Sequence, residues 1–386
     1  MRSLIWVGNI ILTLLVISLY IAVWYYIGAK GKRIFLNKNK SLKIKVYWAL
    51  FWFVAFSYIL SAIFRNILSV NNKLVSVLTV IGAVSLAILA YLIIIFPITD
   101  TIKFILKRIG FKGKVKNYLS IIYGDGISIF IIVIIIFCLG LFNAEHPTIT
   151  NYNIGINKSA KDIKSLNIVM VSDVHIGIMI KEKGILKMVN SINKLNPDIV
   201  FFCGDMVDES TPTNLKVYYS KAFKNIKSKY GVYSIMGNHE YMENVSETIY
   251  YMKKANVKVL LDQSVKVDNS FYVVGRKDAA SREKGKSLNE ILKNTDKSLP
   301  IIELNHRPVG INEAENSKVD LQLSGHTHDG QFFPNNIITR LIYEDSYGYL
   351  KKGNFNLIVS SGYGTWGPPI RIGTKGEIVH INLKFK

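Results

Sequence analysis

Cysteine is nearly absent from this chain. Two occur in 386 residues, Cys138 in an apolar run and Cys203 in a strand-like stretch. That excludes a disulfide framework and a Cys-based zinc site. Acid is the second shortage, with 27 Asp/Glu against 48 Lys/Arg and a formal net charge of +21. The deficit is uneven. Residues 1–146 hold 16 Lys/Arg and three Asp/Glu, whereas the remainder holds 32 and 24. Basic residues beside apolar runs set membrane topology and touch anionic headgroups, so no specific nucleic-acid partner is expected. Internal repeats and low-complexity tracts are also lacking, which argues against a repeat array or a biased disordered segment.

Long apolar runs are plentiful. Four have the length needed to cross a bilayer, at about 4–27, 46–64, 74–98 and 121–142. The Trp24-Tyr25-Tyr26 cluster and the Trp48/Trp52 pair fit interfacial aromatic belts. Pro97 stands at the end of the third run, where a helix stops cheaply. The first connecting loop carries Lys30, Lys32, Arg33, Lys38, Lys40, Lys43 and Lys45; the third carries Lys103, Lys107, Arg108, Lys112, Lys114 and Lys116. The second has only Arg65 and Lys73. The positive-inside rule therefore places loops one and three in the cytoplasm and everything after the fourth span outside. The first run is too long for a cleaved signal peptide, and a basic stretch follows it. Loop three reads equally as a solvated basic loop or as an amphipathic surface helix, and Asp125 as an interfacial acid. Residues 146–162 are polar, contain Pro147 and read as a connector.

From 163 to 386 the pattern changes to short apolar runs alternating with amphipathic stretches. Asn167–Ser172 and Asp198–Cys203 read as buried strands, with a helix over Lys181–Leu195 between them. A helix over Asn214–Ser228 precedes a strand at Gly231–Met236. Several later strands, including Val257–Val267, lack intervening helices. The fold class is therefore α/β, with a four-helix membrane module followed by two sheets flanked by helices.

Five blocks fall at strand ends in this second part. They are Asp173-Val-His175, Gly204-Asp205-Met-Val-Asp208, Gly237-Asn238-His239-Glu240, Asn305-His306-Arg307 and Gly325-His326-Thr327-His328. Each alone has an ordinary structural explanation, a turn or a buried histidine. Together they hold five of the seven histidines and enough Asp, Asn and His for a two-metal centre. Asp-x-His and His-x-His put two side chains on one side of an extended segment. Glycines 177, 204, 237 and 325 are expected to let the backbone turn tightly beside the ligands.

These blocks, with Gly325-His-Thr-His-Asp-Gly-Gln331 and the ending Ser361-Gly-Tyr-Gly-Thr-Trp-Gly-Pro-Pro-Ile-Arg371, resemble the calcineurin-like metallophosphoesterase superfamily, in particular its membrane-attached bacterial members. The chain departs from the usual form at Asp329, where that superfamily has Gly. The resemblance covers about 165–386 and implies two ions, one held by Asp173, His175, Asp205 and His328, the other by Asp205, Asn238, His306 and His326. It implies that Asp205 bridges them, that His239 protonates the leaving oxygen, and that Asp208 orients His239. Hydroxide formed between the ions would attack phosphorus in line. An oxygen/nitrogen ligand set suits Mn, Fe or Zn alike.

Other positions are candidates of lower rank. Arg371 is a candidate phosphate contact and Asp278 a candidate at the pocket, orienting a loop. Gln331, Tyr363 and Trp366 are candidates for the rim, Arg307 for solvent or site, and His146 and His380 are read as structural. The expected activity is hydrolysis of a phosphomonoester or phosphodiester by a membrane-tethered enzyme, with the lipid bilayer and a phosphoester as partners. A lipid headgroup, a lipid-linked intermediate or a wall-polymer phosphate is the expected substrate. The competing readings are a nucleotide or cyclic-nucleotide phosphodiesterase and a non-catalytic membrane receptor or scaffold that retains the fold.

Overall fold

The computed structural model describes residues 2–36, 41–68, 72–110, 127–208 and 211–386. The chain divides into two units, 1–138 and 139–386.

Helices α1 (Arg2–Phe35), α2 (Ser41–Leu68), α3 (Lys73–Arg108) and α4 (Ile127–Glu145) are all long and apolar enough to cross a membrane; the first three and the start of α4 belong to the first unit, and α4 from Leu139 on falls in the second. Although α3 buries Val75, Leu78, Leu89 and Phe96, many apolar residues of these helices are exposed, including Leu12, Leu15, Leu19 and Ile134. That is the pattern of side chains meant to face hydrocarbon rather than a protein core. Helices α2 and α3 approach closely at Gly82, where a Cβ would lie 2.5 Å from the Tyr58 backbone nitrogen; small residues permit such approach between membrane helices. Lys30 on α1 pairs with Asp100 on α3, and Tyr26 donates to the same carboxylate.

Two expectations need correction here. Helix α3 does not stop at Pro97 but runs through it to Arg108. A proline removes one backbone hydrogen bond without forbidding continuation, and neighbouring helices make this tolerable in a membrane bundle. Several basic residues assigned to loops, among them Lys30, Lys32, Arg33, Lys103 and Lys107, extend the helices instead. At 1.5 Å per residue α3 is roughly 54 Å long, well beyond a hydrocarbon core of about 30 Å. Lys38, Lys40, Lys112, Lys114, Lys116, Asp125 and the beginning of the fourth apolar run lie outside the described residues.

The second unit contains two six-stranded sheets. The first has the order β1 (Thr148–Ile156), β12 (Glu377–Phe385), β2 (Ser165–Val171), β3 (Ile199–Cys203), β4 (Val232–Ile235), β5 (Val257–Val259). The second has the order β10 (Gly348–Lys352), β11 (Phe355–Val359), β9 (Leu321–Ser324), β8 (Ile301–Leu304), β7 (Phe271–Gly275), β6 (Gln263–Val267). The strand period of two sorts the side chains. Leu166, Ile168 and Met170 of β2 enter a core shared with Ile302, Leu304, Leu321 and Leu323 of the other sheet. Val169 and Val171 face the helices α5 (Glu182–Lys194), α6 (Thr213–Phe223) and, after the short α7 (Asn238–Met242), α8 (Val245–Lys254). The outer face of the second sheet is covered by α9 (Leu288–Ile291) and α10 (Ile311–Asn316). Burial on both faces explains why Ile199-Val-Phe-Phe-Cys203 is apolar throughout. A last helix, α11 (Asn335–Ile342), has no buried residue.

The stretch 146–162 is not a simple connector. Nine of its residues form β1, paired in parallel with β12 from Thr148↔Glu377 to Ile156↔Phe385. Its apolar positions within the strand, Ile149, Tyr152, Ile154 and Ile156, are interspersed with Thr, Asn and Gly; a partner more than 200 residues away supplies the pairing. The stretch 257–267 is likewise two strands, β5 and β6, in different sheets. Ile154→Asp, placing a charge in the inter-sheet core, is expected to lower the unfolding midpoint of the full chain by roughly 5 °C or more. A true connector would tolerate the change with an unaltered melting curve.

Candidate metal centre

The five blocks occupy the ends of β2, β3, β4, β8 and β9, and the parallel register carries them to one edge of the two sheets. Three clusters of donors result: Asp173 with His175 and His328, Asp205 with His306 and His326, and His175 with Asp208 and His239. The Nε2 atoms of His175 and His328 lie 3.1 Å apart, and His328 Nε2 is 3.6 Å from Asp173 Oδ1. His306 Nε2 is 3.1 Å from Asp205 Oδ2 and 3.2 Å from Asn238 Oδ1. Donors sharing one cation about 2.0–2.2 Å away necessarily stand roughly 3–3.5 Å from one another, so these residues fit a pair of metal ions.

Protonation agrees with that fit. Burial pushes His175 down to about 3 and, with His306 adding to it, His326 down to about 4. Burial and the neighbouring His175 also hold His328 well below the usual imidazole range. These three rings are therefore neutral at pH 7, the form in which an imidazole can bind a metal. Burial raises Asp173 to about 6, and the nearby Asp205 carboxylate adds to the rise. Burial opposes charge on Asp205 too, but His306 overrides it and holds this carboxyl well below the usual carboxylate range. In return, although burial disfavours its cation, His306 is raised to about 10 by Asp205. His306 Nδ1 faces the Cys203 carbonyl at 2.8 Å and must be the donor there. Any second proton then sits on Nε2, in the place a cation would take.

The backbone is strained at five of the candidate ligands. Asp173, His175, Asp205, His326 and His328 all have φ between 51° and 72°, a region costing non-glycine residues about 1–3 kcal/mol each. The expected role of the glycines needs correction accordingly. Gly237 and Gly325 supply room rather than a turn. A Cβ on Gly237 would lie 2.3 Å from Asp205 Oδ1, and one on Gly325 would lie 2.2 Å from Asp173 Oδ2.

Comparison with known proteins bears on this geometry directly. The calcineurin-like phosphoesterase family profile matches residues 166–330, a span that includes all seven predicted ligands, Asp208 and His239. An uncharacterized metallophosphoesterase of Campylobacter jejuni is 33% identical over 294 residues, covering 74% of this chain and 76% of its own. The chain belongs to the calcineurin-like phosphoesterase family. An uncharacterized metallophosphoesterase of Aquifex aeolicus is also 33% identical, over 62% of this chain and 92% of its own. A Bos taurus transmembrane protein with metallophosphoesterase domain is 28% identical, over 64% of this chain and 59% of its own. Family membership accounts for the paired donor sets, since dinuclear divalent-metal binding is general in this family.

Two supporting residues carry more than the sequence reading gave them. Glu240, the last residue of the Gly-Asn-His-Glu block, is fully buried and accepts from the backbone N–H groups of Asp205, Met206, Val207 and Gly237 at 2.6–3.1 Å. It thereby fastens the loop carrying Asp205 to the one carrying Asn238 and His239. Burial, with Asp205 nearby, raises its pKa to about 7. Arg371 is not a phosphate contact: it is fully buried. Its guanidinium donates to the carbonyls of Ser361, Gly362, Gly364, Lys375 and His328. Burial lowers it to about 10, so it remains a cation at pH 7, set behind His328 as a brace.

Asp278 accepts both hydrogen bonds of the Arg307 fork, at 2.8 and 3.0 Å, and the Ala280 N–H at 2.7 Å. Its oxygens are committed to Arg307 and Ala280 rather than free for substrate. The loop carrying Asp278 borders a cleft of about 570 Å³ lined by Arg276, Lys277, Arg282, Lys286 and Arg307 among others. Gln331 is buried and pins the Trp366 backbone at both its N–H and its carbonyl, while the Trp366 ring stands 6.2 Å from His239 and is exposed. Tyr363 is core, donating to the Gly184 carbonyl. His146 and His380 lie outside the cluster, against the Phe142 carbonyl and against Asn151 and Asn167.

Two outcomes follow. Gly325→Ala should displace Asp173 and lower bound metal, measured by elemental analysis, at least tenfold; full stoichiometry would contradict the tight packing there. Chelation should lower the unfolding midpoint of the second unit by several degrees, because Asp173 and Asp205 lose their counter-charge while remaining buried. Restoring divalent metal should restore it.

Proposed function

We propose that the chain is an integral-membrane phosphoesterase that uses two divalent transition-metal ions (Mn, Fe or Zn) to hydrolyse a phosphomonoester or phosphodiester at the outer face of the membrane. What carries the reading is the adjacency of two donor sets, with His239 beside them: its ring stands 4.7 Å, edge-on, from that of His175. In this reading Asp173, His175, Asp205 and His328 hold one ion, and Asp205, Asn238, His306 and His326 hold the other. When bound, such ions supply Lewis acidity toward phosphate oxygens and bring a water's pKa toward neutrality.

The side chains do the rest. His239 keeps a proton at the mouth of the site and passes it to the ester oxygen as that oxygen leaves. Asp208, with Oδ1 3.6 Å from His239 Nδ1, sets the ring's orientation. Asn238 offers a neutral oxygen, which limits the negative charge facing an anionic substrate. Asp205 Oδ2 stands 3.1 Å from His306 Nε2, and its carbonyl accepts the His175 N–H at 3.1 Å, which supports a place for it between the two sets. A scaffold protein would have no use for five strained ligand residues, so the strain favours catalysis over the scaffold reading.

Charge supports this placement of the domain. Basic residues cluster at the end of α1, the start of α2 and the end of α3, and the positive-inside rule then favours the opposite ends and the catalytic unit outside. Tethering at that face favours a lipid headgroup, a lipid-linked intermediate or a wall-polymer phosphate as substrate.

Asp205→Asn and His239→Ala should each reduce turnover of bis-p-nitrophenyl phosphate by the metal-loaded chain at least 100-fold. Of the two, only Asp205→Asn should also release metal. Wild-type rates in either variant would remove that residue from the mechanism. A screen of lipid and nucleotide phosphoesters then separates a membrane substrate from a soluble nucleotide. For orientation, Lys221→Cys should react with an impermeant maleimide on intact cells, and labelling only after lysis would reverse the assignment.

A further inference from the structure

Away from the metal centre, the most exposed apolar helix face of the second unit is on α11. Ile337, Ile338, Leu341 and Ile342 fall at positions i, i+1, i+4 and i+5 and so share one face. Each is at least half exposed, Leu341 to 81%, and Phe333 just before the helix is half exposed as well. Asn335, Asn336, Thr339 and Arg340 occupy the remainder of the helix. A contiguous apolar face of this kind marks a surface meant to be covered.

What covers it is indicated by its neighbours. Residues 139–145, the last turns of the membrane-length helix α4, belong to this same unit. The Gly140 carbonyl accepts from the Arg371 backbone N–H at 2.9 Å. The Ile372 side chain closes on Gly140 so tightly that a Cβ there would lie 2.8 Å away. The Ile372 carbonyl accepts the Phe333 N–H at 2.9 Å, and Ile372 also bridges Phe332. Backbone contacts therefore lead without interruption from the end of a membrane helix to the foot of α11. Leu139 and Phe142 on that helix end are themselves 60% exposed. A short amphipathic helix beside the end of a spanning helix is placed to lie in the boundary between headgroups and acyl chains.

We propose that α11, with Phe333, is an interfacial docking helix that seats the catalytic unit on the lipid bilayer. Arg340 then stands where a lipid phosphate can pair with it. The docked surface is joined to the active site. His328 and Gln331 lie on the same loop as Phe333, and Gln331 pins Trp366, whose ring edges His239. Docking would hold the mouth of the metal centre at headgroup height. The docking itself does not depend on the phosphoesterase reading.

The test reads position rather than rate. In a Cys138→Ser background, with Cys203 buried, Leu341→Cys or Ile338→Cys is labelled with an environment-sensitive fluorophore. The full chain is then placed in nanodiscs of phosphatidylethanolamine and phosphatidylglycerol with brominated acyl chains. Both labels should show blue-shifted emission and at least twofold more quenching than a label at Lys221→Cys, which faces solvent. Quenching equal to that at Lys221 would overturn the proposal. So would a blue shift without lipid quenching, which would mean that protein, from this chain or a second copy, covers the helix. Either variant alone suffices if the other fails to fold.

Discussion

The constraint on which the second unit's chemistry depends is the burial of a charged Asp205. Its carboxylate sits 3.1 Å from His306 and accepts the His239 N–H at 2.9 Å. Its own backbone is left-handed, and the glycine at 237 leaves its Oδ1 the space it occupies. A buried carboxylate is stable only with full hydrogen bonding and a counter-charge. Each neighbour therefore has one permitted chemistry: a cation or imidazolium in front, backbone donors at the side, no Cβ above. The same demand recurs at Asp173, which takes the His326 N–H on both oxygens and has Gly325 against it.

That demand explains the layer behind the ligands. Left-handed residues persist only when their surroundings over-determine them. Glu240 supplies part of that restraint by collecting four N–H groups from two loops. Arg371 supplies another part by collecting carbonyls from the loop 361–364 and from His328. Both are ionisable groups with no access to solvent, and both hold backbone rather than substrate. Their value lies in rigidity, since a centre of several ligands works only while the ligands keep their spacing.

The membrane helices and the metal centre answer to different solvents. Many apolar side chains of α1–α4 point outward, while in the two-sheet unit most point inward to three cores. The exception in the second unit is α11, which wears its apolar face outside beside the end of α4. A catalyst whose reactants are confined to a surface gains from being held at that surface at a fixed height, and α11 offers a physical means of setting that height.

Much of this was legible in the sequence because its causes are local. Four apolar runs are near or above the length needed to cross a bilayer's hydrocarbon core whatever they pack against, and Ile199-Val-Phe-Phe-Cys203 announces a strand buried on both faces. The five blocks carry their ligands in the letters themselves. What local pattern could not reveal was decided by distant partners. Strand β1 owes its pairing to β12, and the apolar run 257–267 is divided between two sheets by tertiary packing. Helix α3 passes Pro97 because helical geometry tolerates one lost hydrogen bond there. Arg371 looked like a phosphate-binding arginine beside Pro-Pro, yet its burial among carbonyls is a property of three loops meeting. Glu240 stood in plain view within a quoted motif, but its role depends on the position of the Asp205 loop. The sequence by itself determined which chemical groups are present and which segments prefer lipid. Only the tertiary structure decided which of those groups face the site and which brace it, because burial and hydrogen-bond partners are set by parts of the chain far apart in sequence.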